Sequence, residues 1–101
     1  MKFKLKNTKE NISTLTRKIS YHYLRKDEKT NTHVLVRALE GGGYPRFHLY
    51  LKIDKKTYEL FFNLHLDQKK PVYETARAHA AEYKGEALEE EARRIKEILK
   101  E

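Results

Sequence analysis

Residues 46–67 read RFHLYLKIDKKTYELFFNLHLD, and this stretch decides the fold. Apolar residues alternate from Phe47 to Ile53 and again from Tyr58 to Leu66, on either side of the polar run DKKT at 54–57. Alternation with a period of two, broken by a short polar turn, is typical of a β-hairpin. The stretch therefore predicts two antiparallel strands joined by a turn at residues 54–57.

Side chains alternate across a strand, so this turn gives the hairpin two different faces. The first face is apolar and pairs Ile53 with Tyr58, Leu51 with Leu60, Leu49 with Phe62 and Phe47 with Leu64. The second face pairs Lys52 with Glu59, Tyr50 with Phe61, His48 with Asn63 and Arg46 with His65. We expect helices to cover the first face, and we look for function on the second.

Further elements are predicted on the N-terminal side of the hairpin. Asn7 and Glu10 resemble a capping box, and a helix is predicted over residues 8–21. Residues 25–32 are polar and predict a loop, whereas the Val- and Leu-rich residues 33–39 predict a strand that ends at the GGGYP turn of 41–45. We place this strand beside the hairpin with Val36 opposite Leu49, which puts Arg37 opposite His48 and Leu35 opposite Tyr50.

On the C-terminal side, residues 86–101 have an apolar helical stripe and predict a helix. Residues 75–84 are rich in alanine but stop at Gly85, which predicts one or two turns of helix or an ordered loop. Residues 1–6, MKFKLK, alternate and are a candidate extra edge strand. The sequence thus predicts one α+β domain over residues 1–101, made of a helix, a three-stranded antiparallel meander and a C-terminal helix.

Composition narrows the classes of function. The 101 residues contain no cysteine, which excludes disulfides and thiolate metal sites, and no apolar run approaches the roughly 20 residues of a membrane span. No apolar segment follows the basic residues 1–6, so we expect no signal peptide and a cytoplasmic protein. The net charge of +7 favours anionic partners. Residues 1–29 carry nine basic and three acidic side chains, whereas residues 86–101 carry four and six.

The second face suits nucleic-acid binding, because exposed aromatic rings can stack on bases while cations contact phosphates. We expect RNA or single-stranded DNA to bind there and at the basic N-terminal region. The candidate binding residues are Arg37, Arg46, Tyr50, Lys52, Phe61 and Lys69. The alternative is that residues 71–84 cover Leu35, Tyr50 and Phe61 as a second small core.

The histidines suggest a second hypothesis, in which the protein is an enzyme and not a binding module. A divalent metal such as zinc or manganese, held by His48, His65, Asp67 and His79, would activate water for phosphodiester hydrolysis. Without a metal, His48 or His65 together with Arg46 would act as acid, base and charge stabiliser. The alternative is a set of surface or hydrogen-bonded histidines in an interaction module with an exposed edge strand, a homodimer being one form of it.

Several stretches carry resemblances. His65-Leu66-Asp67 resembles the His-hydrophobic-His strand of single-strand nicking enzymes, which implies Tyr83 as nucleophile, although aspartate replaces the second histidine. The predicted element order, with QKK at 68–70, resembles double-stranded-RNA-binding domains, whose Gly-Pro-x-His loop is missing. Residues from about 45 to 101 look like a family of small bacterial proteins of unknown function, through PRFH at 45–48, NLHLDQK at 63–69, AH at 78–79, EY at 82–83 and the Glu- and Arg-rich last helix. Because the function of that family is unknown, the resemblance assigns no particular activity to this chain.

Overall fold

The computed structural model of the chain describes residues 1–6, 10–39, 41–68 and 77–100, and the side chains of residues 77–83 lie outside this description. Its elements are β1 (Lys2–Leu5), α1 (Ile12–Lys18), β2 (His22–Asp27), β3 (Thr32–Ala38), β4 (Arg46–Ile53), β5 (Leu60–Asp67) and α2 (Arg77–Leu99). The strands form one antiparallel sheet in the order β1-β5-β4-β3-β2. The α+β class, the antiparallel sheet and the C-terminal helix are confirmed.

The hairpin exists, but its register differs by two residues from the predicted one. Its apolar face pairs Phe47 with Leu66, Leu49 with Leu64, Leu51 with Phe62 and Ile53 with Leu60. The loop spans residues 54–59 because the Asp54 amide donates to the Glu59 carbonyl and the Asp54 carboxylate accepts from the amides of Lys56 and Thr57. Tyr58 completes the loop with φ of 64°. A shift of two residues keeps every side chain on its predicted face.

Strand β3 is displaced by one residue from the predicted pairing, which exchanges its faces. Leu35, not Val36, lies opposite Leu49, and Arg37 lies opposite Phe47. Val34, Leu35 and Val36 are all buried, so alternation in this strand gave no information on which side faces the core. Arg37 and Leu35 therefore lie on the helix side of the sheet, and their placement on the second face was wrong.

The sheet has five strands, not three. Residues 22–27, of which 25–27 were assigned to a loop, form the edge strand β2, whose side chains are exposed except for Asp27 at its end. An edge strand with little buried surface shows no apolar alternation, which explains the error. The extra edge strand at the N-terminus is confirmed as β1, which pairs with β5 through Phe3 opposite Phe62. Their rings stack with centroids 4.8 Å apart.

Both helices differ from their predicted bounds. Helix α1 begins at Ile12, since the side chain of Asn11 caps it by accepting from the Thr14 amide at 2.9 Å. The predicted cap Asn7 lies outside the described residues. Helix α2 continues through Gly85, so the predicted interruption was wrong. A single exposed glycine costs about 1 kcal/mol relative to alanine, and the alanines and glutamates around it sustain the helix.

The two helices pack against the same side of the sheet. The core joins apolar residues of α1, α2 and the strands: Leu15, Ile19, Leu35, Phe47, Leu49, Leu51, Leu60, Phe62, Leu64, Leu66, Ala92, Ile95 and Leu99. Within the described residues, helices cover one face of the sheet and no helix covers the other. The predicted cover of the second face by residues 71–84 rests on residues or side chains outside this description and stays a prediction.

A buried carboxylate connects the helices to the sheet. Glu91 of α2 is 4% exposed and accepts hydrogen bonds from Tyr21 at 2.7 Å, from Arg37 at 3.2 Å and from Arg94 at 2.8 and 3.0 Å. Arg94 also donates to the Ile19 carbonyl at the end of α1. Burial, and then the charge of Glu91, raise the pKa of Tyr21 far above its usual value, so its hydroxyl remains a donor.

Replacement of Tyr21 by phenylalanine should lower the free energy of unfolding by about 1.5 kcal/mol, because it removes a hydrogen bond to a buried charged group. Urea denaturation measures the change. Tyr58→Phe is the matched control, since its ring is half exposed and its loss should stay within about 0.5 kcal/mol. Equal losses in the two variants would show that the Tyr21 hydroxyl does not stabilise the fold.

Candidate nucleic-acid interface

The side of the sheet opposite the helices, which we call the open face, is defined by the observed register. Alternate residues of each strand point to it. Its polar and aromatic members are Lys2 and Lys4 of β1, Phe61, Asn63, His65 and Asp67 of β5, Arg46, His48, Tyr50 and Lys52 of β4, Thr32 of β3, and His22, Arg25 and Asp27 of β2. Cations and aromatic rings dominate this set.

One half of the open face forms a basic, aromatic cavity of about 500 Å³. Phe61 lies between Lys4 on β1 and Lys52 on β4, and its ring is 40% exposed. In the next row, Asn63 lies between Lys2 and Tyr50. These six side chains line the cavity, which we call the lysine cavity. An exposed phenylalanine surrounded by lysines is the kind of surface that single-stranded nucleic acids contact.

The other half is organised around Asp67. Its Oδ2 lies 3.0 Å from Nδ1 of His48 and 3.6 Å from Nε of Arg46. Arg46 also lies over the ring of Tyr44, with its guanidinium carbon 4.8 Å from the centroid. Asp67 thus offsets the charge of Arg46, which was predicted from the sequence to contact phosphate. This half of the open face is therefore less basic than the lysine cavity.

Two histidines face each other across β4 and β5. The register places His48 directly opposite His65, whereas the sequence predicted diagonal neighbours. The imidazole of His48 stacks on Tyr50 at 4.8 Å, and Tyr50 meets His65 edge-on at 5.6 Å. Nε2 of His48 is buried and finds no hydrogen-bond partner in the described structure. A general base needs a nitrogen that reaches the substrate, and His48 does not present one in this arrangement.

The pKa of His65 lies below its usual value. The main cause is partial burial of the ring against the sheet, and the charges of the Met1 amino group, His48 and Lys84 act in the same direction. The carboxylate of Asp67 opposes them. The lowered pKa favours the neutral form of the imidazole, and His65 is exposed on the open face.

The structure brings three of the four predicted metal ligands into one region, namely His48, His65 and Asp67. Within the described residues, however, no group of three or more His, Asp or Glu side chains is arranged to hold a metal ion. Nδ1 of His48 is engaged by Asp67 and Nε2 is enclosed, so neither nitrogen is directed at an open coordination position. The side chain of His79 lies outside the described residues, and the four-ligand site stays a prediction.

The predicted nucleic-acid contacts divide into three groups. Tyr50, Lys52 and Phe61 lie on the open face and line the lysine cavity. Arg46 lies on the same face but pairs with Asp67. Arg37 lies on the helix side and binds Glu91, so its assignment to this face was wrong. Lys69 falls outside the described residues, as does the side chain of Tyr83, the candidate nucleophile.

Sequence reasoning did not find Lys2, Lys4 and Asn63 as site residues. The alternation of lysine with Met1, Phe3 and Leu5 identified a candidate edge strand, but nothing in the sequence showed that this strand pairs with β5. Once that pairing is known, period-two alternation places both lysines beside Phe61 and Asn63 on the open face.

Comparison with known proteins gives no further guidance. No protein family matches the chain, and neither the curated proteins nor the solved structures contain a significant match. The resemblances noted in the sequence therefore stay predictions. Among the described residues, no helix has the length and apolar composition needed to cross a membrane.

The lowered pKa of His65 has a consequence for stability. Between that pKa and the ordinary value near 6.5, the unfolded chain binds more protons than the folded chain, so the free energy of unfolding should decrease as the pH falls through this window. His65→Gln should reduce the decrease. An NMR titration of the imidazole, assigned by comparison with His65→Gln, should give a midpoint below 6.5. A midpoint at or above 6.5 would contradict the structural explanation.

Proposed function

We propose that the protein is a small cytoplasmic nucleic-acid-binding module that uses the open face. The observation that carries this proposal is the lysine cavity, in which Lys2, Lys4 and Lys52 surround Phe61 and Tyr50. Ammonium groups contact phosphates and displace their counterions, while aromatic rings supply stacking surface. The predicted basic N-terminal region contributes through β1, whereas α1 lies on the opposite side of the sheet.

The charge balance of the open face supports the proposal. Lys4 lies 3.5 Å from the carboxylate of Glu59, but this ion pair is largely exposed, and exposed pairs contribute little. A phosphate can therefore compete for Lys4 at small cost. Arg37 is hydrogen-bonded to the buried Glu91, whereas Arg46 lies 3.6 Å from Asp67 and is less exposed than Lys4. The lysines, and not these two arginines, are the cations available to a ligand.

Binding to fluorescein-labelled RNA and DNA oligonucleotides of about 12 residues, in single-stranded and duplex form, tests the proposal by fluorescence anisotropy. Affinity should fall steeply between about 50 and 200 mM salt. For each phosphate neutralised, the logarithm of the binding constant should fall by roughly 0.7 to 0.9 for every ten-fold increase in salt concentration. Weak binding that does not respond to salt, for every oligonucleotide, would refute it.

Lys52→Gln should weaken binding by about five-fold near 0.1 M salt and reduce the salt slope by about 0.7, since it removes one phosphate contact. Lys100→Gln, which follows α2 away from the open face, changes the net charge equally and should leave both quantities almost unchanged. The same anisotropy titrations measure both variants. Equal effects would mean that net charge, and not the lysine cavity, governs binding.

Asp67→Asn should increase affinity by about two- to five-fold, because it releases Arg46 and removes a negative charge from the open face. Glu97→Gln on α2 is the control with the same change of charge, and its effect should be smaller. If Asp67→Asn weakens binding in a protein whose unfolding is unchanged, Asp67 contributes to the site and does not restrain it.

A further inference from the structure

The two rings of the lysine cavity are held differently. One side of the Tyr50 ring is occupied by the imidazole of His48, which stacks on it at an interplanar angle of 20°. Its edge contact with His65 restrains it further. His48 does not line the lysine cavity, so the cavity lies on the other side of the Tyr50 ring, towards Phe61. These contacts fix the orientation of the Tyr50 ring and leave one side of it available to a ligand.

Phe61 lines the same cavity as Tyr50. It pairs with Lys52, two positions along β4 from Tyr50, so the two rings are diagonal neighbours. Diagonal positions in an antiparallel pair lie about 7–8 Å apart. A flat ring placed between two others needs roughly twice the 3.4 Å spacing of stacked bases. Two rings that stand parallel on residues with this backbone spacing leave room for one planar heterocycle between them.

A hydrogen-bonding group lies beside this space. Asn63 is opposite Tyr50 and next to Lys2, and it is half-buried in the lining of the cavity. Its amide offers both donors and an acceptor, which is what the edge of a base requires. Lys2, Lys4 and Lys52 line the same cavity, so their ammonium groups can contact the phosphates on either side of an inserted base.

We propose that the cavity between Tyr50 and Phe61 holds one unpaired base of a single-stranded nucleic acid, with Asn63 hydrogen-bonded to its edge. This inference rests on the proposed function and narrows it. A duplex keeps its bases stacked on one another, so they cannot enter the cavity without unstacking. The protein should prefer single strands to duplexes and should show a base preference that depends on Asn63.

The test uses a single strand that carries a fluorescent adenine analogue, its duplex, and a single strand in which the same position lacks a base. The analogue should be quenched on binding, the duplex should bind at least ten-fold more weakly, and the strand lacking the base should lose about ten-fold in affinity, since stacking contributes about five- to 150-fold per base. RNA and DNA versions of each strand show which of the two nucleic acids the cavity prefers.

Variants of Phe61 and Asn63 separate the contribution of stacking from that of hydrogen bonding to the base. Phe61→Leu should weaken single-strand binding about ten-fold without changing the salt slope, because no charge is altered. Tyr58→Leu, an exposed ring of the 54–59 loop that does not line the cavity, is the control and should have no effect. Asn63→Ala should reduce the differences among homopolymeric single strands and again leave the salt slope unchanged.

The failures of the two proposals are distinguishable. If duplex and single strand bind equally, or if Phe61→Leu retains the original affinity, the base-insertion proposal is overturned, while salt-dependent binding that needs Lys52 still supports the proposed function. If no oligonucleotide binds in a salt-dependent manner, both proposals fail together.

Discussion

The pairing of β4 with β5 depends on the hydrogen bonds that Asp54 makes within the 54–59 loop. The Asp54 amide bonds to the Glu59 carbonyl at 2.9 Å, and amide donors from Lys56 and Thr57 hold the pKa of its carboxyl below the usual value. A six-residue loop, in place of a four-residue turn, moves every partner by two positions. This loop places Asn63 beside Tyr50 and Asp67 beside Arg46, and so determines the chemistry of the open face.

Local pattern predicted those parts of the fold in which one face is apolar and the other is polar. Both hairpin strands have this contrast, and all their side chains lie on the predicted faces despite the shifted register. In β3, three successive buried residues remove the contrast, and the strand was placed one residue away from its true position. In β2 nearly every side chain is exposed, so nothing distinguished it from a loop. The errors of prediction therefore arise in β2 and β3, where buried and exposed residues do not alternate along the strand.

The candidate site was predictable to the extent that it lies within one hairpin. Tyr50, Lys52 and Phe61 were found because adjacent strands fix their neighbours. Lys2 comes to the site through a pairing between distant parts of the chain, which single-strand patterns do not encode. Arg37 was misassigned because a one-residue displacement exchanges the faces, and its true partner, Glu91, belongs to a helix whose packing the sequence did not specify.

The position of β1 also has a consequence for the order in which the strands pair during folding. Met1 bonds to Leu64, 63 positions along the chain, whereas the hairpin closes through contacts within a short loop. Because a long loop costs more entropy to close than a short one, we expect the hairpin to form before β1 pairs with it. Until β1 docks, β5 is an uncovered sheet edge that can pair with other chains. Docking covers this edge and delivers Lys2 and Lys4 to the cavity at the same moment, so a chain that has not finished folding presents an incomplete surface to an anionic partner.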